Sequence, residues 1–474
     1  MTEKTTYDIC VIGAGSGGLS VAAAAASFGQ KVVLIEKGEM GGDCLNTGCV
    51  PSKALLAAAK HAHAFSSGEA FGIKSQAAKV DFAKVNDHVK DVIAGIAPHD
   101  SVERFESLGV KVIKAEGKFV DAQTVEAGGE VIKARRFVVA TGSSAAAPPI
   151  PGLAKVDFLT NETVFELRKR PERLIIIGGG PIGMEMAQAH SRLGSQVTVL
   201  EAFDPLGKDD PEHTSIVLEK LAAEGIEILS RVKISKIAKN KGGITIDLED
   251  KGAQRRINGS HLLVAAGRSA NVEGLGLDVA GIKYSRRGIE VDDGLRTSNR
   301  NVYAIGDVAG GLQFTHVAGY HAGLVVKNIL FRLPIKNKTD HVPWVTYTDP
   351  ELAHVGLSVA MAEQKNIPHK VLKWSFAEND RARAERATYG LVTVVVAKNN
   401  KILGATITAP NAGELIQPWA LAISSGLKIK AMIDQIVAYP TWGEVNRRVA
   451  ITNYADFPAS PVVRRVISWL KFFG

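Results

Sequence analysis

Two of the chain's three cysteines, Cys44 and Cys49, lie in the stretch GGDCLNTGCVPSKALL, residues 41–56, with Lys53 one helical turn beyond the second. A Cys-x4-Cys pair entering a helix has three readings: buried thiols, metal ligands or a redox pair. A structural metal site needs about four ligands. No second Cys/His pair at suitable spacing accompanies these two, and His61 and His63 fall on an Ala-rich helix as surface or core residues. Gly48 and Pro51 leave the first turn free enough for the sulfurs to meet. A helix N-terminus and a nearby lysine each favour a thiolate, which supports the redox reading. So few cysteines in so long a chain do not make a secreted disulfide scaffold. Cys10 sits inside an apolar run and reads as a small core residue.

Redox chemistry at a cysteine pair needs an electron source, and two Gly-rich loops supply candidates. Tyr-Asp-Ile-Cys-Val-Ile, residues 7–12, reads as a buried parallel strand. Gly13-Ala14-Gly15-Ser16-Gly17-Gly18 follows, then an Ala-rich helix stopped at Gly29, then a strand ending at Glu36. This is GxGxxG between strand and helix with an acid about 20 residues on. Gly13 permits the turn, Gly15 lets the backbone approach a pyrophosphate, and Gly18 lets helix and strand pack closely. The helix N-terminus attracts the phosphates, and Glu36 accepts from ribose hydroxyls.

The same unit recurs: strand RLIII at 173–177, Gly178-Gly179-Gly180-Pro181-Ile182-Gly183, a helix closed at Gly194, and a strand ending at Glu201. Duplication points to two nucleotides. An acid at Glu201, with no arginine in the next few positions, favours NAD(H) over its 2′-phosphorylated form.

The cysteine stretch resembles the redox-active segment of the class I pyridine nucleotide–disulfide oxidoreductases, among them dihydrolipoamide dehydrogenase, glutathione reductase and mercuric reductase. Their pattern GGxCxNxGCxPSK is matched throughout, and the resemblance runs from residue 7 to about 455. It implies an α/β fold: two Rossmann-like, doubly wound three-layer nucleotide domains plus a C-terminal α+β dimerisation domain. The expected boundaries are 1–152 for the first FAD-binding part, 153–270 for the NAD-binding domain, 271–341 for a central FAD-binding part and 342–474 for the interface domain. Cys44 is then the interchange thiol, Cys49 the sulfur against the flavin, and Lys53 a neighbour of flavin N5 paired with Glu185. Resemblance assigns FAD to Gly13, Gly15, Gly18, Glu36, Lys37, Gly42, Thr141, Gly142, Gly306, Asp307 and His316, and NAD to Gly178, Gly180, Gly183, Glu201 and Gly267. A helix beginning near Thr315 points its N-terminus at the flavin ring, and His321 reads as a core residue. The chain departs from the family at Pro181, where some members carry an aromatic, and at Ala270, where the AxGRxPN segment has proline.

The last third changes character, with antiparallel strands expected within 345–354 and 391–396, and helices over 412–425 and 430–437. In the family this part forms the homodimer, and the partner's tail completes the disulfide pocket. The tail reads VAYPTWGE. Pro440, Thr441 and Glu444 match dihydrolipoamide dehydrogenases and glutathione reductases, but Tyr439 stands where those carry the catalytic histidine; mercuric reductases also use a tyrosine in this region. A phenol of pKa near 10 is a poor base at pH 7, though it donates a hydrogen bond. Tyr439 and Glu444 are therefore expected at the site, and the outer substrate stays open: a thiol or disulfide, free or as a carrier-bound lipoyl group, or a quinone. Mercuric reductases end in vicinal cysteines and carry a thiol-bearing N-terminal module. This sequence shows neither, so a full mercuric reductase is not expected.

The formal charge of +8 favours anionic small molecules or an acidic partner. No nucleic-acid motif accompanies it, and no metal site is expected. The N-terminus lacks a signal-peptide pattern and no run is long enough to span a membrane, so a cytoplasmic enzyme is expected. One segment stands apart. Residues 460–474 combine Val462, Val463, Val466, Ile467, Trp469, Leu470, Phe472 and Phe473 with Arg464, Arg465 and Lys471. Such a helix either docks on the protein's own dimer or contacts a membrane interface.

Overall fold

The computed structural model describes residues 6–474. The chain divides into two compact units. The first runs to Phe203 and resumes over Ile226–Lys338; the second combines Asp204–Gly225 with Thr339–Gly474.

The first unit opens with β1 (Thr6–Ile12), α1 (Ser16–Ser27) and β2 (Val32–Ile35). β1 is apolar almost throughout because both of its faces are covered. Cys10 and Ile12 face one core layer with Phe119 and Phe137, while Ile9 and Val11 face another with Val21, Leu34 and Tyr303. Cys10 is fully buried. The cysteine stretch follows as two short-coupled helices, α2 (Gly42–Asn46) and α3 (Cys49–Ala64). β3 (Glu130–Val139) then lies parallel to β1. A hairpin, Gly117–Asp121 with Thr124–Ala127, extends the same sheet through antiparallel pairing to β3.

β4 (Arg173–Ile177), α4 (Pro181–Arg192) and β5 (Gln196–Leu200) repeat the opening motif in a separate parallel sheet of four strands. A three-stranded antiparallel sheet, residues 233–259, follows it. The chain then returns to the first sheet: β6 (Val302–Ala304) pairs parallel with Phe137–Val139 of β3. α5 (Thr315–Phe331) packs on α1. Gly17 permits that approach, since a Cβ there would lie 3.3 Å from Ala318. The β1–β2 and β4–β5 pairs thus end at loops that open helices, the position where open α/β sheets bind ligands.

The second unit is a five-stranded antiparallel sheet covered by helices. Its core gathers Phe376, Val392, Val394, Ile407 and Trp419. Antiparallel strands fall at Pro343–Thr346 and Glu351–Gly356, and Leu391–Ala397 is a third. The helix Pro211–Ala223 belongs to this unit. Its buried His213 holds Thr408 and Thr393, one on each ring nitrogen, at 2.8 Å. Two further helices close the chain: α6 (Glu444–Ile451) and α7 (Pro461–Leu470).

Candidate redox site

The cysteine pair is anchored to the first glycine loop by backbone. Gly41 N–H donates to Ala14 O at 3.0 Å, and a Cβ on Gly42 would lie 2.8 Å from Gly15 Cα. Both Gly41 and Gly42 take positive φ, 88° and 60°, which favours glycine. Asn46 then ties α2 down by donating to Met40 O and Gly42 O. Gly48 ends this turn and Cys49 opens α3, whose first-turn N–H groups no side chain caps.

Cys44 and Cys49 meet as thiols that hydrogen-bond each other. Cys49 Sγ also lies 3.4 Å from Thr315 Oγ1, at the first residue of α5. It therefore sits where the N-termini of α3 and α5 converge. The Cys44 hydrogen bond, with help from Thr315 and the Lys53 charge, outweighs burial and brings the Cys49 thiol down to about 6. Cys44 moves the other way, because it holds the shared proton and is partly buried. One sulfur is thus a thiolate at neutral pH and the other its proton donor. Lys53 Nζ lies 2.7 Å from Glu185 Oε2, a buried carboxylate on α4. This ion pair joins the helix of the cysteine site to the helix of the second glycine loop.

The two loops have one geometry. Gly13 has φ +106° and its Cβ would strike Ala140 O at 2.4 Å; Gly178 has φ +114° and would strike Ala265 O at 2.4 Å. A Cβ on Gly18 would fall 1.9 Å from Gly13 O, and one on Gly183 the same distance from Gly178 O. Gly15 and Gly180, by contrast, face open space. Each loop is therefore closed by two glycines and left open at the middle one, which suits a pyrophosphate lying over an uncapped helix N-terminus. Glu36 accepts from Ala14 and Gly38 N–H, both at 2.6 Å. Glu201 accepts from Gly179 N–H at 2.5 Å and Phe203 N–H at 2.8 Å. Both acids stand at strand ends beside their loops. These cradles fit FAD and a nicotinamide dinucleotide.

The remaining resemblance residues fall unequally. Asp307 follows β6 and accepts from the Ser143 hydroxyl at 2.5 Å; burial raises its carboxyl above the usual range. Gly306 N–H donates to Nδ1 of buried His321, so that histidine shapes the Asp307 turn from the core. Thr141 and Gly142 border the same turn, with Thr141 Oγ1 donating to Asn271 O at 2.8 Å. Lys37 is exposed and paired with Glu116. His316 is exposed and stacks on Phe314, ring centroids 5.2 Å apart. Gly267 takes φ +132° and faces open space.

In the sequence Arg268 is the arginine of the AxGRxPN-like segment, with no partner assigned to it. It is 15% exposed and bridges both halves of the site. Its guanidinium donates to Ser143 Oγ and O at 2.8 and 2.7 Å and pairs with Asp43 at 3.0 Å, with Asp307 3.9 Å away. Asp43 immediately precedes Cys44 and also receives Thr47 and Asn161 at 2.8 Å. An acid beside a cysteine was the signal that this loop has a cation to meet.

Tyr439 and Glu444 lie in the second unit. The exposed Tyr439 donates to Asp380 Oδ2 at 3.0 Å, and that carboxylate raises the phenol's pKa. Glu444 pairs instead with Arg448 of its own helix, at 2.8 Å. The phenol is a proton donor, not a base, at neutral pH.

Residues 7–322 match the family model described as pyridine nucleotide-disulphide oxidoreductase, and residues 342–450 match that family's dimerisation domain. A mercuric reductase of Bacillus cereus is 36% identical over 453 residues, covering 95% of this chain and 72% of the relative. A dihydrolipoyl dehydrogenase of Geobacillus stearothermophilus is 35% identical over 449 residues, covering 93% and 94%. Among solved structures, the HOCl-induced flavoprotein disulfide reductase RclA of Escherichia coli superposes with a TM-score of 0.83 at 26% identity, covering 94% of this chain and 99% of that one.

Proposed function

This chain belongs to the FAD-dependent pyridine nucleotide-disulphide oxidoreductases, and on that premise we propose that it moves two electrons from NADH through Cys49 and Cys44 to an outer disulfide acceptor. The observation that carries the reading is the asymmetric sulfur pair: one thiol lowered to about 6 and held against the N-termini of two helices, the other keeping the proton. Bound FAD supplies the two-electron relay between nicotinamide and sulfur. The protein does the rest. Glu201 favours the unphosphorylated nicotinamide ribose. Lys53 and Glu185 fix a charge pair between the two dinucleotide loops. Thr315 and Lys53 hold Cys49 as thiolate, while Cys44 carries the proton and exchanges with the substrate.

The acceptor is a disulfide, small or carried on a protein as an oxidised lipoyl group; the charge of +8 suits an acidic carrier. A second reading, NADH-driven quinone reduction without the sulfur pair, draws on Tyr439, which puts a proton donor where the resemblance to dihydrolipoamide dehydrogenases would put a base. Anaerobic NADH titration of the FAD-loaded protein tests both. A long-wavelength charge-transfer band at the two-electron stage supports the disulfide reading. Bleaching without that band, with quinone turnover intact in Cys44→Ser, overturns it in favour of the second.

A further inference from the structure

α7, Pro461–Leu470, continued by a 3-10 turn at Lys471–Phe473, has no buried residue. Val462, Val466, Ile467, Trp469, Leu470 and Phe473 are all exposed. At helical spacing these residues, with Val463, occupy an arc of roughly 160°. Arg464, Arg465, Ser468 and Lys471 fill the opposite arc. Trp469 and Phe473 sit edge to face at 4.8 Å, forming one aromatic wedge on the apolar side. No Asp or Glu follows Asp456, so every charged side chain of the polar face is cationic, with exposed Phe472 lying among them near the C-terminal end.

That division of chemistry selects the surface that covers it. The dimerisation match ends at residue 450, before α7 begins. A two-fold pairing of α7 with its copy would also gather like charges around one seam. Among the described residues no helix is long and apolar enough to cross a membrane, and α7 is far short of the roughly 20 residues needed. A short helix with an apolar aromatic face opposite arginine and lysine suits the plane of an anionic interface. We propose that residues 461–473 are an interfacial anchor. The apolar arc enters the boundary between headgroups and acyl chains of an anionic bilayer, and Arg464, Arg465 and Lys471 meet lipid phosphates.

The test is flotation of the full-length, FAD-loaded protein with phosphatidylcholine vesicles, with and without phosphatidylglycerol. Bound protein should rise about tenfold on the anionic vesicles and fall with added salt. Val466→Glu with Trp469→Glu should abolish flotation and leave NADH-driven flavin reduction unchanged. Arg464→Gln with Arg465→Gln should remove the preference for anionic lipid. Protein that stays in the soluble fraction with both vesicle types overturns the proposal. So does a dimer that dissociates in the Val466→Glu, Trp469→Glu variant, since a second copy would then be what covers the face.

Discussion

The proposed redox chemistry rests on Cys49, and its ionisation makes a pH prediction. Its pKa in the fold, about 6, lies below the ordinary thiol value. The thiolate is therefore present above pH 6 and lost as pH falls through it. In the two-electron-reduced, FAD-loaded protein, charge-transfer absorbance should be full at pH 8 and titrate away with a midpoint near 6. Lys53→Met should move that midpoint upward, because a cation that favours the thiolate is gone. Spectra that do not change between pH 8 and 5 would remove Cys49 from the circuit. Arg268 makes a second prediction at this scale. It is a nearly buried guanidinium shared by Asp43, Ser143 and Asp307, and loss of one partner from such a cluster costs about 3 kcal/mol. Arg268→Met should lower stability by that order in urea unfolding and release FAD on dilution. Arg268→Lys, which keeps the charge but not the fork, should rescue only part of either effect.

At the scale of elements, the glycine loops separate folding from binding. Gly18→Ala and Gly183→Ala place a methyl inside a backbone carbonyl of their own loops, a clash on the order of 3 kcal/mol. Both should show a lowered thermal midpoint without any ligand. Gly15→Ala and Gly180→Ala meet no protein atom within 4 Å, so both should fold with a near-normal midpoint. Gly15→Ala should then fail to retain FAD, while Gly180→Ala should retain FAD and raise the KM for NADH. If Gly15→Ala keeps full FAD occupancy, the pyrophosphate does not lie over that loop. Gly41 and Gly42, both at positive φ, anchor the start of α2 against the first glycine loop.

At the scale of the whole molecule, three buried histidines link stability to acid. Burial lowers His190, His213 and His354 to about 4. Each stays neutral in the fold but protonates near 6.5 when unfolded. The unfolded state therefore binds more protons between pH 6.5 and 4, and stability is lost as pH falls through that window, by up to roughly 3 kcal/mol per histidine. Differential scanning should show the midpoint nearly flat above pH 7 and dropping steeply below 6. His213→Gln, which keeps hydrogen bonding to Thr393 or Thr408 without the charge, should soften the drop. The dimerisation match predicts a sedimenting species of twice the chain mass across the same upper range.

The duplicated glycine loops, their terminal acids and the cysteine pair were legible in the sequence because local backbone demands write themselves into residue type. A φ of +106° or a carbonyl 1.9 Å away leaves glycine as the residue that fits, and a helix N-terminus needs no distant partner to favour a thiolate. Even His321 read correctly as a core residue. The Arg268 cluster did not show, because Asp43, Ser143, Arg268 and Asp307 are scattered along the chain and meet only when β6 returns to the first sheet. Nor did the sequence show that Glu444 turns to Arg448 and Tyr439 to Asp380, since a matched motif states residue types and not their hydrogen bonds. Local geometry determined where the glycine loops and the sulfur pair stand; long-range packing decided which partners the charges around them meet.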